Sequence, residues 1–363
     1  MLNKKKIYAK IDAFAYRADL KRRAERANHH AERLVQAPLS QEEKIQIKEK
    51  WGKWGGKYSS FAFYKAFCGR FDACYVPDDY YDYAEHVLNL RWSAYFLQHK
   101  CHLKYILPPE NRAQVIVQKV DGHFITEENV EMTEYQAIEL LKQNPVFVAK
   151  IARGTGSGKG VQRIDLNTID DKDAFLHKLV SPEDMEFEQI IRQSDFMSRF
   201  NASSVNTIRF VTLNINGNCT VLSAFLRMGA DGTFVDNFCS KRGILVGIDQ
   251  EGHVNPFGIN HEYEKQYKSP TGLILDGIQI PNYDSIKEQI ISFHQRMPFA
   301  NLIGWDVAID INEKPVVIEI NLDSALIELH QVFNGPIFGD RLEEVIQYIK
   351  RKEPLLKHQM MIY

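Results

Sequence analysis

The chain has 363 residues, 44% hydrophobic and 25% charged, with a net charge of −2, the make-up of an ordinary globular protein with material for a sizeable core in one large domain or two to three smaller units. That charge gives no general attraction to nucleic acid or to a membrane surface, no run approaches the ~20 apolar residues of a membrane span, and Met1-Leu2-Asn3-Lys4-Lys5-Lys6 leads into no apolar leader. Five cysteines (Cys68, Cys74, Cys101, Cys219 and Cys239) are an odd number without Cys-x-x-Cys spacing, which suits reduced thiols, so a cytoplasmic protein is expected.

Residues 1 to about 37 are charged and helix-forming. Their basic cluster Lys21-Arg22-Arg23 is interleaved with Asp12, Asp19, Glu25 and Glu32, the pattern of a solvated helix face. Ser40 with Glu43 is a capping box opening a helix that should stop at Gly55-Gly56, and the aromatic-rich stretch Tyr58–Phe71 should pack on the main body. Asp78-Asp79 opens a helix expected to run to about Gln98, the two acids complementing its dipole. Strands are expected at Val115–Val117, Val146–Ile151 and Phe187–Ile191. Thr133 with Gln136 should cap a helix ending near Asn144, and Thr168 with Asp171 one reaching about Leu179. Ile208–Ile215 and Thr220–Met228 read as a hairpin about Asn216-Gly217-Asn218. Helices should follow from Asp284 to about Met297 and over Gly339–Arg351. The fold class is therefore α/β or α+β with long antiparallel portions.

Between two of these strands lies Gly154-Thr155-Gly156-Ser157-Gly158-Lys159-Gly160. So many glycines let a backbone approach an anion and aim its N–H groups at it. A Walker A loop or a dinucleotide fingerprint needs a helix next, whereas here the β-like Val161–Ile164 follows. Strand, glycine loop, strand is a flap over phosphates, and Lys150 on the incoming strand can reach one as a point charge.

Downstream, the β-rich runs Trp305–Ile311 and Val316–Ile320 flank the turn-like Asn312-Glu313-Lys314-Pro315. A turn centred between Asn312 and Glu313 sets Asp306 across from Glu319, and the two-residue period puts Asn321 on the face of Glu319. Carboxylates among Val307, Ile318 and Ile320 are costly unless a cation pairs them. An oxygen set with one amide suits Mg²⁺. His261, His294 and His330 are spaced unlike a zinc site and are read as structural or surface residues.

A protein kinase is excluded, since its His-Arg-Asp loop and Asp-Phe-Gly are absent. The order found instead (lysine strand, glycine flap, Phe187–Ile191, a basic strand, then Asp306, Glu319 and Asn321) resembles the ATP-grasp superfamily of carboxylate–amine ligases. Val205-Asn206-Thr207-Ile208-Arg209, Asp236-Asn237-Phe238, Gly304-Trp305-Asp306 and Ile318-Glu319-Ile320-Asn321 resemble, more narrowly, its sugar-transfer-associated family, linked to polysaccharide biosynthesis, over roughly residues 75–335. Two positions depart from that pattern: Arg242-Gly243 stands where a double glycine is expected, and Arg91 where relatives carry lysine.

The resemblance implies an ATP-grasp fold, with nucleotide held between two α+β subdomains and a helical N-terminal extension. The expected units are residues 1–75, 76–145, 146–192 and 193–363. It implies that Lys150 and the flap (Gly156, Ser157, Gly158, Lys159 and Gly160) hold the ATP phosphates. Glu188 would open the hinge strand and meet the adenine amino group or the ribose, with the backbone of Gln189–Ile191 reading the adenine edge. Asp306, Glu319 and Asn321 would hold Mg²⁺. Arg209, with Lys241 as a second candidate, would contact an acyl phosphate, and Asp236 and Asn237 the substrate, with Asp323 and Ser324 lining the site. The expected activity is an ATP- and Mg-dependent ligase acting on a small-molecule carboxylate and amine, without nucleic-acid partners or membrane insertion. A phosphotransferase on the same ATP site and an ATP-binding partner protein without turnover are the alternatives.

Overall fold

A computed structural model describes residues 22, 32–52, 58–89, 91–153, 158–180, 183–234 and 243–356. Most of the basic N-terminal stretch, the expected helix stop at Gly55-Gly56, and Gly156, Ser157, Asp236, Asn237, Lys241 and Arg242 lie outside the described residues.

Two antiparallel sheets carry the fold. The smaller holds β1 (Val115–Val120), β2 (His123–Ile125), β3 (Glu131–Met132), β4 (Val146–Ile151), β5 (Val161–Asp165) and β6 (Met185–Gln189), in the order β3-β2-β1-β6-β4-β5. The larger holds β7 (Thr207–Ile215), β8 (Asn218–Met228), β9 (Ile244–Ile248), β10 (Val254–Ile259), β11 (Lys265–Gln266), β12 (Leu302–Ile309) and β13 (Pro315–Asn321), in the order β11-β10-β9-β8-β7-β12-β13. The class is thus mixed α+β.

The main helices are α1 (Gln41–Trp51), α2 (Ser59–Cys68), α3 (Asp78–Leu88), α4 (Arg91–Leu97), α5 (Glu134–Gln143), α6 (Lys172–Val180), α7 (Tyr283–Gln295), α8 (Ile327–Asn334) and α9 (Leu342–Leu356). Helices α5 and α6 cover the small sheet through Leu141 and Leu176 against Phe147 and Phe187. The large sheet is covered twice. Ile286, Ile290 and Phe293 of α7 meet Phe210 and Trp305 on one face. Trp51, Tyr64, Val87, Leu329 and Val345 meet Val211, Leu213 and Phe225 on the other. Strand β7 is therefore buried along its whole length, its alternating polar residues Thr207, Arg209, Thr212 and Asn214 included. Among the described residues no helix is long and apolar enough to cross a membrane.

Local chemistry explains most boundaries. Ser40 and Glu43 make the expected reciprocal cap, at 3.1 and 2.7 Å, as do Thr133 and Gln136. The β7–β8 turn is Asn216-Gly217, with φ of 55° and 82°, the doubly left-handed pair that a two-residue hairpin needs. Thr168 is no cap. Its hydroxyl donates to the Asp165 carbonyl at 2.8 Å, and Asp171 caps α6 by accepting from Ala174 N at 2.9 Å. The helix expected from Asp78 to Gln98 is two helices with an extended Asn89 between them.

Asn89 breaks that helix because its side chain is bonded elsewhere. Its Oδ1 accepts from Asn301 N (3.0 Å) and Leu302 N (3.1 Å), while Nδ2 donates to the carbonyls of Leu302 and Leu322 (2.6 Å to the latter). One buried amide thus ties α3 to the start of β12 and the end of β13. Removing it leaves several buried backbone groups unpaired, at roughly 1–3 kcal/mol each. Asn89→Ala is expected to lose about 3 kcal/mol or more in a urea titration, and a loss below about 1 kcal/mol would show the bridge to be dispensable.

Candidate functional site

A cleft of about 470 Å³ lies between the two sheets. Its small-sheet wall is built by β4, β5 and β6. Strands β4 and β5 pair antiparallel, so the glycine stretch caps a hairpin as expected, and Gly158 and Gly160 take φ of 74° and 73° there. Lys150, at the end of β4, is buried and ion-paired with Glu188 of β6. Burial opposes its charge, but the carboxylate of Glu188 outweighs that and raises its pKa, so it remains an ammonium. Gln189 and Ile191 also line the cleft. The Gln189 N–H is taken by the Gln114 carbonyl at 2.9 Å, so Gln189 does not offer that donor to a ligand.

The opposite wall is the hairpin β12–β13 with β7 and β8. Asp306 stands across from Glu319, as expected, but by another route. The turn is centred on Asn312, closed by Asp310 N to the Lys314 carbonyl at 2.9 Å, with Glu313 at φ 58°. The ladder then slips by one residue between Asp306 and Val307, leaving Ile318 as a bulge. Ile318 lines the cleft beside Glu319 and Asn321, and Ile320 borders it while belonging to the core.

Asp306 is held by two arginines. Arg209, its register partner on β7, donates from Nε to Oδ1 and from Nη2 to Oδ2 at 2.7 Å, and Arg227 Nη1 on β8 donates to Oδ2 at 2.8 Å. Arg209 Nη1 also reaches the Ser324 carbonyl at 3.0 Å. Burial pushes the Asp306 pKa up, but the two guanidinium groups outweigh it and hold it at about 2. Gly304 permits this packing, since a Cβ there would lie 3.1 Å from Ala325 Cα and 3.5 Å from Arg209 Cδ.

Sequence reasoning missed several lining residues. Lys100 Nζ lies 3.3 Å from Glu319 Oε1, Gln98 donates to Asp323 Oδ1 at 2.5 Å, and Lys100 N bonds the Ala152 carbonyl at 3.0 Å. This segment therefore links both walls of the cleft. No motif marked it. Arg227 carries no motif either, and a second slip, between Val211 and Thr212, sets its facing. An unbroken β7–β8 ladder would put Arg227 on the face away from Arg209, whereas the slip sets it opposite Thr207 on the same face.

Of the expected site residues, the cleft gathers Lys150, Gly158, Lys159, Glu188, Gln189, Ile191, Arg209, Asp306, Glu319 and Asn321, with Asp323 and Ser324. Gly160 sits at the flap base, where its carbonyl accepts from Ile151 N at 2.9 Å. His294 and His330 bond Thr212 and Ser223 inside the core, in keeping with structural roles. Among the described residues six basic side chains line the cleft against four carboxylates, an excess that suits a polyanion.

The donor set fits a hard cation. Three N–H groups on Asp306 leave its carboxylate one of about four lone-pair sites. Glu319 has the Lys100 ammonium, and Asn321 Nδ2 is buried without a partner among the described residues. All three residues offer oxygen, the donor Mg²⁺ prefers.

Residues 114–347 match the protein family described as sugar-transfer associated ATP-grasp. No curated protein matches the chain. Solved structures similar to it include the ATP-grasp ligase PsnB complexed with a minimal precursor, at 11% identity and TM-score 0.40, covering 70% of this chain and 62% of that one. The D-alanine–D-alanine ligase of Coxiella burnetii aligns at 12% identity and TM-score 0.40, covering 72% of this chain and 60% of that one. The L-amino acid ligase of Bacillus licheniformis aligns at 14% and 0.37, covering 68% and 48%. The chain spans less than two thirds of the length of each of these three.

The Asp306 pKa sets a test by acid. Because its folded value, about 2, lies below the ordinary 3.8, it contributes stability above the unfolded pKa that is lost as pH falls through the folded one. The wild type should lose about 2 kcal/mol of unfolding free energy from this group between about pH 4 and pH 2. Asp306→Asn should be less stable at neutral pH, with two guanidinium groups short of a counter-charge, and flatter across that window. An acid limb as steep as the wild type's would show that other carboxylates carry it.

Proposed function

This chain belongs to the sugar-transfer-associated ATP-grasp family, and on that premise we propose that it is an ATP- and Mg²⁺-dependent ligase joining a carboxylate to an amine. A sugar acid, amino sugar or amino acid would be among its substrates, in sugar-conjugate or polysaccharide assembly. The observation that carries the reading is the single cleft in which a glycine flap with its strand lysine faces Glu319 and Asn321 across a cationic floor.

In this reading Lys150, Lys159 and the flap, including Gly156, Ser157 and Gly160, hold the phosphates, while Glu188, Gln189 and Ile191 border the adenosine. Glu319 and Asn321, with the remaining lone pair of Asp306, would hold Mg²⁺, which when bound offsets phosphate charge. The substrate carboxylate oxygen attacks the γ-phosphorus and ADP departs. The amine nitrogen then attacks the acyl carbon and phosphate leaves. Phosphoryl transfer of this kind relies on positioning and on fixed positive charge. Arg209 is committed to three bonds in the core, so it orients Asp306. Arg227, with 12% of its side chain exposed, presents its guanidinium to the acyl phosphate beside it. Lys241, Asp236 and Asn237 are assigned to the substrate end on the resemblance alone.

Incubation with ATP, Mg²⁺, pooled amino acids and sugar acids, and hydroxylamine should release ADP and phosphate and yield a hydroxamate. A stable phosphorylated acceptor without hydroxamate would instead make the protein a phosphotransferase. In that assay Glu319→Gln should lower turnover by about 10² or more with the fold retained, and near-normal ADP production would remove Glu319 from the site.

Lys150 is set on a strand, whereas Lys159 rides the flap and loses more conformational entropy on docking. Lys150→Ala should therefore weaken binding of a non-hydrolysable ATP analogue more than Lys159→Ala does. Calorimetric titration decides it, and equal or reversed losses reject the ordering.

A further inference from the structure

Behind the phosphate-facing lysine lies a group that the reading above leaves without a role. Glu186 is the register partner of Lys150 and stands two residues before Glu188 on β6, so both carboxyls share the face on which the ammonium sits. All three groups are out of water, with Lys150 5%, Glu186 2% and Glu188 3% exposed. The ammonium is ion-paired with Glu188. From β1 the Gln118 amide donates both to Glu186 and to the Cys101 carbonyl (3.1 Å). Two buried carboxylates against one ammonium would leave a net negative charge with no water to screen it, a state that proteins avoid by keeping a proton.

We propose that Glu186 is a positioning residue that works as a neutral acid, donating its proton to Glu188 so that Lys150 can exchange Glu188 for a phosphate. The inference rests on the reading of the cleft as an ATP site. Burial, followed by the charge of Glu188, raises the Glu186 pKa well above the ordinary glutamate value, with Lys150 and Gln118 opposing. The other titratable groups around it are Cys101 and Lys104, from the segment after α4, while Glu319 acts on Lys150 from β13. When a phosphate takes the ammonium, Glu188 keeps the hydrogen bond from Glu186 and is not stranded as a bare buried charge. When rising pH removes the proton, two carboxylates grip Lys150 and the exchange becomes unfavourable.

The test is titration of the full chain with Mg²⁺ and a β,γ-imido ATP analogue from about pH 6.5 to about pH 9.5, beside thermal unfolding without nucleotide. Wild-type affinity should fall by up to about tenfold per pH unit once Glu186 ionises. Glu186→Gln keeps a donor and cannot ionise, so it should match the wild type at the low end and show no fall. Glu186→Ala should bind on the order of tenfold more weakly throughout.

Unfolding gives an independent reading. Above the ordinary glutamate pKa the native wild type binds one proton more than the unfolded chain, so its stability falls as pH rises, and Glu186→Gln should lack that slope. Glu186→Gln as weak as Glu186→Ala would reduce the residue to packing. A pH fall retained in Glu186→Gln would place the proton elsewhere. Either result overturns the inference and leaves the ATP reading standing, whereas a wild type that does not bind the analogue overturns both.

Discussion

A buried carboxylate shared by two guanidinium groups is the interaction on which the site depends. Asp306, Arg209 and Arg227 lie on β12, β7 and β8, three neighbouring strands, so the knot fixes the middle of the large sheet as well as the floor of the cleft. Burial alone would neutralise Asp306, and the arginines reverse that. Breaking such a pair from one side costs roughly 3–5 kcal/mol, because it leaves a charge without water or partner. The loop after β13 closes on the same knot. Ser324 accepts from Arg209, Ala325 N bonds Glu85 at 2.8 Å, Leu326 N bonds the Tyr81 hydroxyl at 3.1 Å, and Gly304 leaves room beneath. A helix far upstream therefore fixes the cleft's rim.

Among the described residues each carboxylate lining the cleft already has a partner: Lys150 on Glu188, the two arginines on Asp306, Lys100 on Glu319 and Gln98 on Asp323. A ligand entering it must trade contacts. This favours a molecule that brings as many negative oxygens as it displaces, and works against a neutral one of the same size.

How much of this was legible in the sequence follows from which forces are local. Caps and turns are local, so Ser40–Glu43, Thr133–Gln136 and the place of the β7–β8 turn were legible, although Asn218 already belongs to β8 and Asp171, not Thr168, caps α6. Asn89 was not, because what ends that helix is an amide bonded to residues more than two hundred positions away. Facing is decided by register, and a single inserted residue reverses it. The Asp306–Glu319 pairing came out right because a turn centre placed half a residue off and an unseen bulge at Ile318 cancelled. Arg227 was missed because no motif singled it out, although the slip at Val211 sets it on the face of Arg209. The burial argument for a cation beside Asp306 was sound as physics, but the structure supplies that cation first from arginine. Lys100 and Gln98 carry no motif, and only the folded chain places them at the cleft.

The stretch that carries the family signature and the stretch that folds are different objects. The match opens at residue 114, yet α1, α2 and α3 lie before it and share with α8 and α9 the cover over one face of the large sheet. Val76 exchanges two hydrogen bonds with Gln331, at 2.8 and 3.0 Å, and Asn89 knits α3 into β12. A piece excised at the family boundary would lose the part of this cluster that Trp51, Tyr64 and Val87 supply, leaving apolar surface open to self-association. The helical region is thus not an accessory module that evolution or an engineer could exchange wholesale. It supplies part of the sheet's core, and Asn89 and Glu85 tie it to the strand and loop that border the cleft.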